Sequence, residues 1–107
     1  MAKILIVDDE RGIREVLTSI LQKKGYETSS AGDIKSAENL LLNENFDVAL
    51  VDMLLPDGDG KTLIPLAQKK LTNVVMISGH ATLSSAVEAV KMGAFDFLEK
   101  PLDREKI

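Results

Sequence analysis

Short runs of consecutive apolar residues alternate along this chain with longer stretches in which apolar residues return every three or four positions. Ile4-Leu5-Ile6-Val7, opened by Lys3, is the continuous kind of run that marks a strand buried on both faces. From Arg11 to Lys24 the spacing of Ile13, Val16, Leu17, Ile20 and Leu21 predicts one apolar helix face, with Gly25 closing the helix. Tyr26 to Ser30 reads as a half-polar strand. Asp33 to Asn43 reads as a second helix, with Asp33 as N-cap and Ile34, Ala37, Leu40 and Leu41 inward. After Phe46, Val48-Ala49-Leu50-Val51 is a third strand, ending in Asp52 and then the turn formers Pro56-Asp57-Gly58-Asp59-Gly60.

The alternation continues to the end of the chain. Lys61 to Lys70 predicts a third helix in which Pro65, placed past the first turn, should kink or shorten it. Val74 to Ile77 is a fourth apolar strand, with Ser78-Gly79-His80 at its end. Leu83, Ala86, Val87 and Val90 mark a fourth helix, capped by Thr82 and closed by Gly93. Ala94 to Glu99 is a fifth strand running into Lys100-Pro101, and Asp103 caps the start of a fifth helix that is truncated at Ile107. Strand and helix alternating five times predict an α/β fold, a doubly wound five-stranded parallel sheet with helices on both faces. The first, third and fourth strands are apolar throughout and suit the interior, whereas Glu27, Asp96 and Glu99 mark the second and fifth as edges. The order 2-1-3-4-5 meets all five preferences and puts the ligand cleft at the carboxyl ends of strands one and three.

That order gathers Asp8, Asp9 and Asp52 at one place. Any one of them has a structural explanation: an acidic pair before a helix serves as cap and dipole partner, and an acid often starts a loop. Together they repel one another, and a cation resolves the repulsion. Oxygen donors without His or Cys point to Mg2+, or Mn2+, in a water-completed octahedron. Ser78 and Lys100, following strands four and five, approach the same cleft. Composition narrows the remaining classes. The chain's 107 residues, 45% apolar and 28% charged, predict one globular domain. With no cysteine, neither disulfides nor a thiolate metal site enter the account. The net charge of −4 argues against direct nucleic-acid contact. No apolar run approaches the roughly 20 residues that cross a bilayer, so no membrane contact and a cytoplasmic location are expected.

The segments IVDDE, VDMLLPDGDG, SGHA and FLEKP together resemble the receiver domains of two-component response regulators, nearly end to end. The stretch HATLSSAVEAVKMGAFDFLEKP is similar to receivers attached to AAA+ activators of sigma-54 promoters. The resemblance implies a flavodoxin-like fold and a phosphorylation-controlled switch, not an enzyme with a separate substrate. In it Asp52 is the phosphoacceptor for a sensor histidine kinase. Asp9, Asp52 and the backbone carbonyl of Leu54 bind Mg2+, with Asp8 acting through water. Ser78 and Lys100 hold the phosphoryl oxygens, and Phe97 takes the aromatic switch position. His80 and Leu54 flank the expected water path, although a solvated loop His explains His80 equally well. The Lys100–Pro101 bond is expected to be cis. The surface of helix four and strand five would then signal to the protein's own output domain.

Other classes fit less well. A haloacid-dehalogenase-type phosphotransferase expects D-x-D after strand one and a cap domain, whereas the chain reads DDER with no room for a cap. A flavodoxin-like electron carrier expects a hydroxyl-rich phosphate loop where DDERG would repel the flavin phosphate. A degenerate receiver acting only as a binding module is disfavoured by the full set of Asp8, Asp9, Asp52, Ser78 and Lys100. The truncated fifth helix leads to the expectation of a fragment of a longer regulator, with apolar surface exposed beside helix one and a tendency to form homodimers.

Overall fold

The computed structural model describes residues 2–78, 88 and 90–99, with side chains described through Ile77 and again at 88 and 90–96. Five parallel strands form the sheet: β1 (Lys3–Val7), β2 (Glu27–Ala31), β3 (Val48–Asp52), β4 (Asn73–Ser78) and β5 (Asp96–Glu99). Their order is β2-β1-β3-β4-β5, as the strand polarities predict. Three helices are described in full: α1 (Arg11–Lys23), α2 (Ile34–Asn43) and α3 (Ile64–Lys69). No described helix is long and apolar enough to cross a membrane.

Side-chain alternation along the buried strands splits the core into two layers. Leu5, Val7, Ala49, Val51, Val74 and Met76 face α2 and α3, joining Ala37, Leu41, Ile64 and Ala67. Ile4, Ile6, Leu50 and Ile77 face the other way, onto Leu17 and Leu21 of α1. Val16 departs from the predicted inward face: it is 55% exposed. Successive residues point about 100° apart on a helix, and the stripe that meets the sheet centres on Leu17 and Leu21, which leaves Val16 on the flank.

The helix ends follow backbone arithmetic. Gly25 has φ +92°, its N–H donates to the Gln22 carbonyl, and the Tyr26 N–H donates to Leu21. These are the two bonds that satisfy orphan carbonyls where a helix closes in the left-handed conformation. Asp33 caps α2 as predicted, accepting from the Ser36 N–H at 2.7 Å, and this bond holds its carboxyl below the usual carboxylate value. The third helix starts later than Lys61. A 3-10 turn occupies Gly60–Leu63 and α3 follows, with Pro65 in its first turn. A missing N–H costs nothing there, so the proline shortens the helix without kinking it. At the other end, α3 closes as α1 does, with Leu71 N–H on Gln68 and Thr72 N–H on Ala67.

The left-handed position at that closure is held by Leu71, with φ +58° and 89% of its surface exposed. That conformation costs an L-residue about 1–2 kcal/mol, and the exposed side chain recovers little of it. Leu71→Gly is therefore expected to raise stability by about 1 kcal/mol, or about 4–8 °C in melting midpoint for a domain near this size. A lowered midpoint in a thermal melt contradicts this.

The remaining strand limits differ slightly from the predictions. β2 begins one residue late, at Glu27, and β5 begins at Asp96. Leu54–Leu55 pairs with Gly58–Asp59 in a short antiparallel ribbon where only a turn was expected. Of the predicted fourth helix, residues 88, 90 and 91 are helical, and Gly93 has φ +110°. Its start at Thr82, with Leu83, Ala86 and Val87, lies outside the described residues, as do the Lys100–Pro101 bond and the fifth helix from Asp103.

Candidate functional site

Strand register brings the acids to the same end of the sheet. Ile4 to Val7 pair with Val48 to Val51, so Asp8 and Asp52 are the next residues along neighbouring strands. Both are buried, Asp8 completely and Asp52 to 5% exposure, whereas Asp9 is exposed. Asp8 is held on several sides. Its N–H donates to the Ala31 carbonyl, its carbonyl accepts from Arg14 Nη1 at 2.8 Å, and its Oδ1 accepts from the Glu10 N–H at 2.9 Å. Asp52 Oδ1 accepts from the Leu54 N–H at 3.2 Å, folding the loop back over the strand end.

One carboxylate oxygen each from Asp8, Asp9 and Glu10 lie within 4.8 Å of one another. The N-cap of α1 is Glu10, and its side chain makes no cap bond. The donors are hard oxygens, the chemistry that suits Mg2+ and its relatives. The residues present therefore fit the expected ion. Glu10 was absent from the predicted ligand set. Its only sequence signal was its place directly after the acidic pair. Asp52 belongs to no such group of three among the described residues; it stands on the adjacent strand end.

The loop after Asp52 is anchored in three ways. Asp57 accepts from the backbone N–H groups of Ile34 and Lys35, at 2.9 and 3.2 Å, and so clips the loop to the start of α2. Asp59 accepts from the Lys61 N–H at 2.8 Å. The Gly60 N–H donates to the Met53 carbonyl at 2.8 Å. A Cβ at Gly60 would lie 2.0 Å from the Asp52 carbonyl oxygen, so only glycine lets the chain pass there. Leu54, the predicted source of a carbonyl ligand, lies in the ribbon with an exposed side chain.

The remaining predicted residues are placed by the backbone or lie beyond it. Asp52 pairs with Ile77, so Ser78 follows its partner at the same sheet end, and Ser78 in turn pairs with Glu99. Phe97 lies within β5, opposite Met76. The side chains of Ser78 and Phe97, together with His80 and Lys100, lie outside the described residues. An open groove of about 730 Å³ runs elsewhere, along α1 beside β2, lined by residues including Arg14, Thr18 and Ser30. It does not include the acidic cluster.

Comparison with known proteins agrees with this geometry. The family model for the response regulator receiver domain matches residues 4–107. The chain is 48% identical over 103 residues to the response regulator protein PilR of Pseudomonas aeruginosa, covering 94% of this chain and 23% of that protein. It is 36% identical to the regulatory protein AtoC of Escherichia coli, covering 98% and 23%. The chain thus spans about a quarter of the length of these relatives. Among solved structures, the beryllofluoride-activated NtrC4 receiver domain dimer superposes with a TM-score of 0.92 at 37% identity, covering 99% of this chain and 89% of that one. A Burkholderia pseudomallei response regulator, solved with a phosphorylated aspartic acid, calcium ion and citrate, has a TM-score of 0.92 at 30% identity, covering 99% and 64%.

Proposed function

The chain belongs to the response regulator receiver domain family, and we propose that it is a signalling switch in which Asp52 accepts a phosphoryl group from a sensor histidine kinase. The observation that carries this reading is Asp52 itself, a buried carboxylate at the strand end beside the fully buried Asp8. Phosphoryl transfer asks the protein for positioning and charge compensation more than for covalent help. The strand register and the Leu54 N–H hold the Asp52 carboxylate in place as nucleophile.

Asp9 and Asp52, with the Leu54 carbonyl, would hold Mg2+ or Mn2+ and Asp8 would act through water, while Glu10 lies in one group with Asp8 and Asp9. The ion would offset the negative charge on the acids and on the entering phosphoryl group. Ser78 and Lys100 would hold the phosphoryl oxygens, and Phe97 would respond through packing alone, since it lacks a hydroxyl. The domain catalyses only its own phosphorylation and hydrolysis. Its output would be a changed helix-four and strand-five surface acting on the output domain of a longer cytoplasmic regulator. The stretch similar to receivers of sigma-54 activators, together with relatives that are themselves regulatory proteins, favours a transcriptional activator of that class. The activated NtrC4 dimer favours homodimers as the signalling form.

Incubation with Mg2+ and acetyl phosphate should add one phosphoryl group to the intact mass, and a chelator should prevent it. No mass gain would overturn the reading. Asp9→Asn isolates the metal's part. Because Asp9 is exposed and does not occupy the α1 cap position, the variant should melt within about 0.5 kcal/mol of the parent, as surface changes usually do. It should bind Mg2+ at least about tenfold more weakly, which is about 1.4 kcal/mol, measured by NMR shifts or by Tyr26 fluorescence. Unchanged Mg2+ affinity would return Asp9 to a purely structural role.

A further inference from the structure

The turn that supports Asp52 is tied to a distant helical segment through one buried cation. Lys61 is only 9% exposed. Its Nζ lies 2.8 Å from Glu88 Oε1 and 3.5 Å from Asp59 Oδ2. The hydrogen bond that Lys61 donates to Glu88, the largest influence on it, raises Lys61 above the ordinary lysine value and keeps it charged. On one side, the backbone leads straight to the phosphoacceptor strand. Gly60, the residue before Lys61, donates to Met53 and passes against the Asp52 carbonyl with no room for a methyl group. On the other side, the Glu88 carbonyl accepts from the Met92 N–H at 3.0 Å, so the anchored residue also holds the end of its own helical segment.

A cation taken out of water and paired is weak evidence for stability, because an apolar side chain of the same size often serves as well. What the pair adds is position: it fixes one point of the 59–61 turn to Glu88, and through the Glu88 carbonyl to the segment that ends at Met92. We propose that the Lys61–Glu88 pair is a coupling link through which occupancy of the Asp52 site shifts that segment, a route separate from Ser78 and Phe97. The proposal rests on the phosphoacceptor reading of Asp52. A link of this kind must be reciprocal: if occupancy changes the opening of the segment by some factor, loosening the segment changes ligand affinity by the same factor.

The test compares amide exchange at Met92 in the parent chain, Glu88→Gln, Lys61→Met and the double variant, each with and without Mg2+ and beryllofluoride. Glu88 is exposed, so Glu88→Gln leaves the core untouched. In the parent, beryllofluoride should change Met92 exchange by about tenfold, within the usual range of coupling between sites. In Glu88→Gln that ratio should fall below about twofold, with beryllofluoride affinity shifted by the reciprocal factor. The double variant should lose no more than either single one, as expected for two residues acting through one contact. A ratio in Glu88→Gln equal to the parent's, or additive losses in the double variant, overturns the link while leaving the Asp52 reading in place. A parent chain that binds no beryllofluoride overturns both.

Discussion

Replacing Asp52 with Asn is expected to abolish phosphoryl uptake from small donors while leaving the fold intact. Transfer forms a bond between a carboxylate oxygen and phosphorus as the bond from phosphorus to the donor breaks, and the product is a mixed anhydride. A carboxamide has neither the anionic lone pair to attack nor a stable product of that kind. Asn matches Asp in size, and its oxygen can still accept the Leu54 N–H that Asp52 accepts at 3.2 Å. The substitution also removes one member of a crowded set of like charges, so the melting midpoint should hold or rise. The two acids of the following loop are turned to other partners. Asp57 is occupied by the N–H groups of Ile34 and Lys35, and Asp59 by the N–H of Lys61. Uptake by Asp52→Asn at the parent's rate would move the phosphoacceptor elsewhere.

The second large effect belongs to Gly60→Ala. A methyl group at this position would lie 2.0 Å from the Asp52 carbonyl oxygen and 2.9 Å from Val51 Cγ1. The nearer atom is backbone at the carboxyl end of β3, so no side-chain rotation relieves the clash. Overpacking in a core usually costs about 1–3 kcal/mol, and a backbone contact this close belongs at the upper end or beyond. The loss corresponds to a midpoint more than about 10 °C below the parent, at about 4–8 °C per kcal/mol. It also displaces the strand end that presents Asp52, so phosphoryl uptake should fall with stability. A midpoint within about 2 °C of the parent's, well under 1 kcal/mol on that scale, would mean that the loop has room the structure does not show.

Much of this architecture was readable because strands buried on both faces write themselves as unbroken apolar runs. Ile4 to Val7, Val48 to Val51 and Val74 to Ile77 gave the interior strands, and the acids in β2 and β5 gave the edges. From there the meeting of Asp8 and Asp52 followed from strand order alone. What stayed hidden depends on contacts between distant parts of the chain. Nothing near Asp57 announces that it caps a helix 22 and 23 residues earlier in sequence. Lys61 reads as a surface lysine until Glu88, 27 residues on, is seen to pair with it. Helical periodicity put Val16 with Leu17, but the arc that meets the sheet is narrower than the apolar stripe. Local pattern fixes which residues could be buried, and neighbouring elements decide which of them are.

Locating the phosphoryl group tests the central claim most directly. The parent chain is labelled with acetyl phosphate and Mg2+, the acyl phosphate is reduced with borohydride to mark its carbon as homoserine, and the peptides are sequenced by mass spectrometry. The account predicts homoserine at position 52 alone, and none when a chelator is present. Homoserine at Asp8, Asp9, Asp57 or Asp59 with Asp52 unmarked would contradict it.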